Sequence, residues 1–309
     1  ALALPATREP SVGRCLDDRL DYDVAGQSTI EAHDANVARR SSRQLAIAAI
    51  ELAPDLSNLD CAHAAPLILR AAAHISRTVS DEWEARDGRP RYVAGSIGPG
   101  TKLPSLGHIG FEELRDSYTE QAEGLLEGGL DVFVLETFQD LNEILAAIRA
   151  IRSVTAEIPI MAQMTFGQDG KTRYGHTPAL VVRALKQAGA DVVGVNCGVG
   201  PQATLELLAQ FVAAAEGTPV SAMPNAGLPQ FVEGRYVYLS SPDYFADFAA
   251  RAVALCVKVI GGCCGTTPAH IRAMRERLAS HLPAESLPSG AEVQVLEPAS
   301  ANDAAQAGE

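Results

Sequence analysis

Two cysteines stand side by side in Gly261-Gly262-Cys263-Cys264-Gly265-Thr266-Thr267-Pro268, and a third, Cys197, closes Gly194-Val195-Asn196-Cys197-Gly198. Neighbouring residues of a strand point to opposite faces, so an extended backbone cannot aim both sulfurs at one site. Flanking glycines lift that restriction because they reach backbone angles closed to other residues. The Thr267-Pro268 pair reads as a helix start, whose partial positive charge favours a thiolate nearby. If both segments end parallel strands on the same face, three thiolates converge. Zinc held by three protein ligands with an exchangeable fourth position is the catalytic pattern; a structural site takes four ligands and Cys-x₂₋₄-Cys spacing, which the chain lacks. Zn²⁺ with three thiolates carries a net charge of about −1 and activates water poorly. It still binds a substrate thiol as the thiolate and leaves that sulfur nucleophilic, which favours S-alkylation over hydrolysis. Other readings stay open at this point. Buried cysteines pack as small hydrophobes, and an adjacent pair can form a vicinal disulfide. A redox dithiol is a further alternative, although Cys-x-x-Cys spacing is absent.

The elements that must position these residues become regular from about residue 91. Apolar runs at 92–97, 131–136, 158–165, 191–196, 219–223 and 257–261 read as strands. They alternate with segments of helical period at 111–127, 140–153, 178–188, 201–215, 241–255 and 268–280. That alternation predicts six βα units and a parallel sheet. Thr177-Pro178, Ser241-Pro242 and Thr267-Pro268 supply a capping oxygen followed by a proline that presets the first turn. A closed (β/α)8 barrel needs two further strands, and the region before residue 91 shows no convincing one. Residues 66–76 read as helix, continuing through 84. The fold expected is therefore α/β, a TIM-type barrel with its first two βα units divergent or missing. Three segments follow: 1–85, irregular and mostly helical; 86–281, the barrel; and 282–309, an acidic tail without Lys or Arg, expected to be disordered apart from a short strand at 291–296.

The chain has 309 residues, a formal net charge of −13 and 20% charged residues, which suits a globular protein and argues against a nucleic-acid partner. No stretch approaches the roughly 18 consecutive apolar residues of a membrane span. Residues 1–12 lack the pattern of a secretory signal, and the missing initiator Met suggests a trimmed start. The remaining cysteines, Cys15, Cys61 and Cys256, have no partner motif and read as structural. Six cysteines in so core-rich a chain read as reduced thiols in the cytoplasm, not as a disulfide framework.

The two cysteine motifs together resemble the homocysteine S-methyltransferase family. Gly95-Ser-Ile-Gly-Pro-Gly100, Glu136-Thr-Phe138, Gln163-Met-Thr-Phe166 and Met223-Pro-Asn-Ala-Gly-Leu-Pro229 narrow the likeness to the homocysteine-binding module of cobalamin-dependent methionine synthases. The resemblance covers residues 86–281. It implies zinc-dependent S-methyl transfer to homocysteine, giving methionine, with Cys197, Cys263 and Cys264 as the zinc ligands. Glu136 matches the family's acidic residue that holds the substrate amino group; read alone, it is equally a loop-ordering or helix-start acid. Asn225 is placed to orient substrate or approach the zinc, or it simply makes a turn. Thr165 and Phe166 either line the pocket or close a strand. The family's Asp-Gly-Ala-Met-Gly-Thr-like and Glu-Thr-Asn-Thr-Phe-like loops are absent from residues 1–85. No Asp-x-His-x-x-Gly setting for cobalamin occurs, so a cobalamin could act only from another module or protein. The methyl donor implied is a methylcobalamin-carrying module or a small compound such as S-methylmethionine or betaine. A non-catalytic zinc- or thiol-binding remnant of the same family is the alternative.

Overall fold

The computed structural model describes residues 61–279 apart from 233. Cys15 and the strand expected at 291–296 lie outside them. Helix α1 (Cys61–Asp87) leads into six parallel strands: β1 (Ala94–Ile97), β2 (Val132–Phe138), β3 (Ile160–Met164), β4 (Val192–Asn196), β5 (Val220–Met223) and β8 (Val259–Ile260). They pair in the order β1-β2-β3-β4-β5-β8. Helices α2 (Phe111–Glu127), α3 (Leu141–Val154), α4 (Pro178–Ala188), α5 (Pro201–Ala215), α6 (Pro242–Ala254) and α7 (Pro268–Ala279) alternate with them. This is the curled, parallel half-barrel of a TIM-type α/β fold, with the strand number expected from residue 91 onward. An antiparallel hairpin, β6 (Gln230–Val232) and β7 (Arg235–Val237), interrupts the alternation after β5.

Side-chain alternation divides the core in two. Phe133 and Leu135 of β2 join the large cluster under the helices, whereas Val134, Met161 and Met223 form a smaller one on the opposite face of the sheet. Polar groups follow on that second face. Gln163 donates to Ser221 Oγ at 3.0 Å, both residues fully buried, across the intervening strand β4. At that crossing β4 carries Gly194, where an added Cβ would stand 1.9 Å from Ser221 Oγ and 2.5 Å from its carbonyl oxygen. Gly194→Ala should therefore destabilise the fold by about 3 kcal/mol, the upper range for overpacking a core, read as a fall in the midpoint of thermal unfolding.

The N-terminal ends of the strands are fastened by a repeated latch. Asp131, just before β2, accepts the Val93 N–H at 2.6 Å and Arg77 of α1 at 2.6 Å. Asp191, just before β4, accepts the Ile160 N–H at 2.7 Å and Arg152 of α3 at 2.5 Å. The residues preceding β3 and β5 are instead Pro159 and Pro219, which offer only their carbonyls, to Phe133 N and Val193 N at 2.9 and 3.1 Å.

Three expectations are corrected locally. Of the proposed caps, Ser241 accepts from Tyr244 N, whereas Thr177 makes no side-chain cap bond. Thr267 Oγ1 is engaged by the His270 ring at 2.8 Å. The helix predicted over 66–84 begins earlier, at Cys61, and carries Pro66 inside it. Cys256, read as a reduced thiol, is disulfide-bonded.

Candidate functional site

Strands β4 and β8 both run their C-terminal ends to the same edge of the sheet, and the turns leaving them carry the three cysteines. The Cys197 N–H continues the ladder to Met223 O at 3.0 Å, and the Cys263 N–H reaches Pro224 O at 2.9 Å. Cys197 itself adopts a left-handed backbone (φ 57°), which an L-residue occupies only when the surroundings impose it. In the second turn the left-handed position falls at Gly265 (φ 79°). Gly262 is needed for room: a Cβ there would meet Thr266 at 2.4 Å.

The sulfurs converge. Cys197 Sγ lies 4.0 Å from Cys264 Sγ, Cys263 Sγ lies 3.9 Å from Cys264 Sγ, and all three fall within 4.8 Å of one another. Ligands about 2.3 Å from a tetrahedral zinc are about 3.8 Å apart, so the donor spacing and chemistry fit that ion. Without a metal the protons are unevenly held. The Cys263 thiol donates to Cys197, which keeps the Cys197 thiol down at about 5 against burial. That same bond, with burial, pushes Cys263 far up, and burial and the Cys197 charge raise Cys264.

Asparagines brace the cluster. Asn225, nearly buried, accepts the Cys264 N–H through Oδ1 at 3.2 Å and donates its own N–H to Val199 O at 3.1 Å. Asn196 Nδ2 lies 4.0 Å from Cys263 Sγ and 3.1 Å from Thr137 Oγ1, and its Oδ1 accepts the Thr137 N–H at 2.8 Å. Thr137 is the second left-handed residue at this edge (φ 68°). The preceding residue, Glu136, is nearly buried and accepts the Ser96 hydroxyl at 2.5 Å. Glu136 is thus carried by the same strand end that Asn196 ties to Cys263.

The loop after β1 is anchored from below. Glu143, fully buried on α3, accepts Gly100 N at 2.7 Å and the Tyr118 hydroxyl at 3.1 Å, and burial pushes its carboxyl above the ordinary range. Gly98-Pro99-Gly100 therefore shapes this loop.

Thr165 donates to Asn196 O at 3.1 Å and so stays beside the site. Phe166 does not. Its ring packs edge-on against Phe211 of α5, centroids 5.5 Å apart, in the core beneath the helices. Strand closure and packing, not a pocket wall, is the place the fold gives it. Sequence reasoning assigned no role to Asn196, Thr137, Ser96 or Tyr238. Asn196 had a signal, standing immediately before Cys197 in the motif; Tyr238 had none.

Comparison with known proteins matches this architecture. Residues 17–278 match the model of the homocysteine S-methyltransferase family, and the chain belongs to that family. The match extends well upstream of residue 86, where the motif resemblance began. The chain is 42% identical over 211 residues to the methionine synthase of Mycobacterium tuberculosis, covering 67% of this chain and 18% of that protein. It is 41% identical over 203 residues to the methionine synthase of Mycobacterium leprae, covering 64% and 17%. It thus spans less than a fifth of the length of these relatives. In fold it is similar to the apo form of the homocysteine methyltransferase MmuM from Escherichia coli, with a TM-score of 0.63 at 21% identity over 86% of this chain and 99% of that one. The metallated form of that enzyme gives a TM-score of 0.62 with the same identity and coverage.

Proposed function

We propose that this chain is the homocysteine-binding, zinc-dependent part of a methionine-forming methyltransferase. The observation that carries the reading is the convergence of Cys197, Cys263 and Cys264 within 4.8 Å at the C-terminal edge of the sheet. The functional loops of TIM-type barrels gather at that edge. Those three sulfurs would hold the zinc. Bound there, zinc would favour the thiolate form of a substrate thiol at neutral pH while three anionic ligands keep that sulfur electron-rich. Everything else falls to the chain. Asn225 fixes the two cysteine turns to each other, and Asn196 joins the Cys263 side to the strand that carries Glu136. The Glu136 carboxylate would take the homocysteine ammonium, orienting the thiol toward the sulfur cluster. The homocysteine sulfur forms a bond to the methyl carbon, the donor's own bond to that carbon breaks, and the leaving group departs with the electron pair.

The methyl donor comes from outside the described residues. The curated relatives named methionine synthase are more than five times as long as the stretch they share with this chain, which favours a methylcobalamin-carrying module over S-methylmethionine or betaine. No described helix is long and apolar enough to cross a membrane. A thiolate site needs a reducing compartment such as the cytoplasm; the Cys256 disulfide, outside the cluster, points the other way.

The test is zinc content per chain after reducing purification, with X-ray absorption of the zinc shell with and without homocysteine. About one zinc, whose shell gains a fourth sulfur with homocysteine, is the expected result. Zinc without that gain would mark a non-catalytic remnant. A folded, reduced chain without zinc would sink the metal reading and leave a redox dithiol.

A further inference from the structure

The face of the sheet turned away from the helices carries a polar row near the C-terminal strand ends. Ser96 of β1 donates to Glu136 of β2, and Gln163 of β3 reaches over Gly194 of β4 to donate to Ser221 of β5. Strand register sets them side by side: Gln163 pairs with Gly194, and Gly194 with Ser221. On the other flank the β2–β3 register slips. Leu135 pairs with Ala162 but Phe138 with Met164, so Glu136 and Thr137 together stand opposite Gln163. A bulge of this kind re-aims the side chains around it and is over-represented next to active sites.

One atom of the row has nothing to bind. Gln163 is fully buried, and its Oε1 has no hydrogen-bond partner among the described residues. A buried, unpaired amide oxygen is unfavourable, because it has given up water without replacement. The two ends of a planar amide diverge. With Nε2 committed to Ser221 of β5, Oε1 turns away from β5, the side on which Glu136 lies. An ammonium group has three N–H donors and no acceptor. Taken out of water it needs more than one carboxylate, since the remaining donors of a buried charge must also be met. Glu136 offers the charge, and Gln163 the spare acceptor.

We propose that Gln163 is a specificity-determining residue whose Oε1 accepts an N–H of the same substrate ammonium that Glu136 binds. The inference rests on the homocysteine reading above. It assigns the choice of an α-amino thiol over a plain thiol acid to two neighbouring strands acting together.

Calorimetry on the zinc-loaded, full chain tests this with two ligands. One is homocysteine; the other is 4-mercaptobutanoate, which keeps the thiol, the carbon chain and the carboxylate but lacks the amino group. Gln163→Met keeps the length of the side chain and removes the amide. The expected result is a loss of about tenfold in homocysteine affinity, the low end for a hydrogen bond to a charged group, with 4-mercaptobutanoate affinity and zinc content unchanged. Gln163→Asn retains an amide but withdraws it by one methylene. It should show the same selective loss, and it stands in if the Met variant does not fold. An equal loss for both ligands would mark a packing role and overturn the proposal. So would unchanged homocysteine affinity in either folded variant. Wild-type chain that binds the two ligands equally would remove the ammonium site at Glu136 and this inference together. Wild type that favours homocysteine, with variants that favour it as strongly, would remove this inference alone.

Discussion

Cys263→Ser should purify as a folded protein with less than about a tenth of the wild-type zinc, because a directly coordinating ligand is worth more than the roughly 10–100-fold in affinity that an outer partner supplies. The serine hydroxyl is smaller than the thiol and does not ionise at neutral pH, so it replaces neither the reach nor the charge. Cys263 is also the sulfur that Asn196 approaches and the thiol that donates to Cys197. Its loss therefore removes one of the three converging sulfurs. Metal analysis of the variant against wild type, beside circular dichroism to verify folding, checks the expectation. Full zinc retention would remove Cys263 from the ligand set.

Glu136→Ala should weaken homocysteine binding by about 10–100-fold, the range of a charge-assisted hydrogen bond, while zinc content stays at the wild-type level. The separation matters because Glu136 and the cysteines sit on different strand ends joined through Thr137 and Asn196. The carboxylate accepts from Ser96 on β1, so the substitution leaves that hydroxyl without this acceptor. Calorimetry with homocysteine measures the first effect, and metal analysis the second. Equal affinity in the variant would return Glu136 to the role of a loop-ordering acid.

Most of the sheet was legible because strand and helix announce themselves by different periods, and three helices, 111–127, 178–188 and 201–215, begin and end where the pattern placed them. Their starts carry a glycine or proline and their faces a regular apolar spacing. The hairpin was not legible. Its strands have three residues each, too short for alternation to register, and most of their side chains are exposed. Tyr238 was lost with it, since only the return of that hairpin lays its ring on Gly265. Phe166 shows a different failure. Alternation puts Met161, Gln163 and Thr165 on one face of β3 and sends Phe166 to the other, where Phe211 receives it. Motif likeness had grouped it with its neighbour. The cysteine site was legible because its chemistry is carried by residue type; the bracing by Asn196 and Thr137 was not, because it joins strand ends 59 residues apart.

The latch at the opposite edge bears on how such a barrel is put together. Aspartate, proline, aspartate and proline precede β2, β3, β4 and β5 in turn, and each aspartate is clasped by an arginine from the helix before the strand it caps. The repeating module of this half-barrel is consequently a pair of βα units, not one. A chimera that swaps modules between relatives should be cut between pairs, after β2, where both fragments keep their clasps whole. A cut after β1 or β3 leaves an aspartate on one side and its backbone partner on the other.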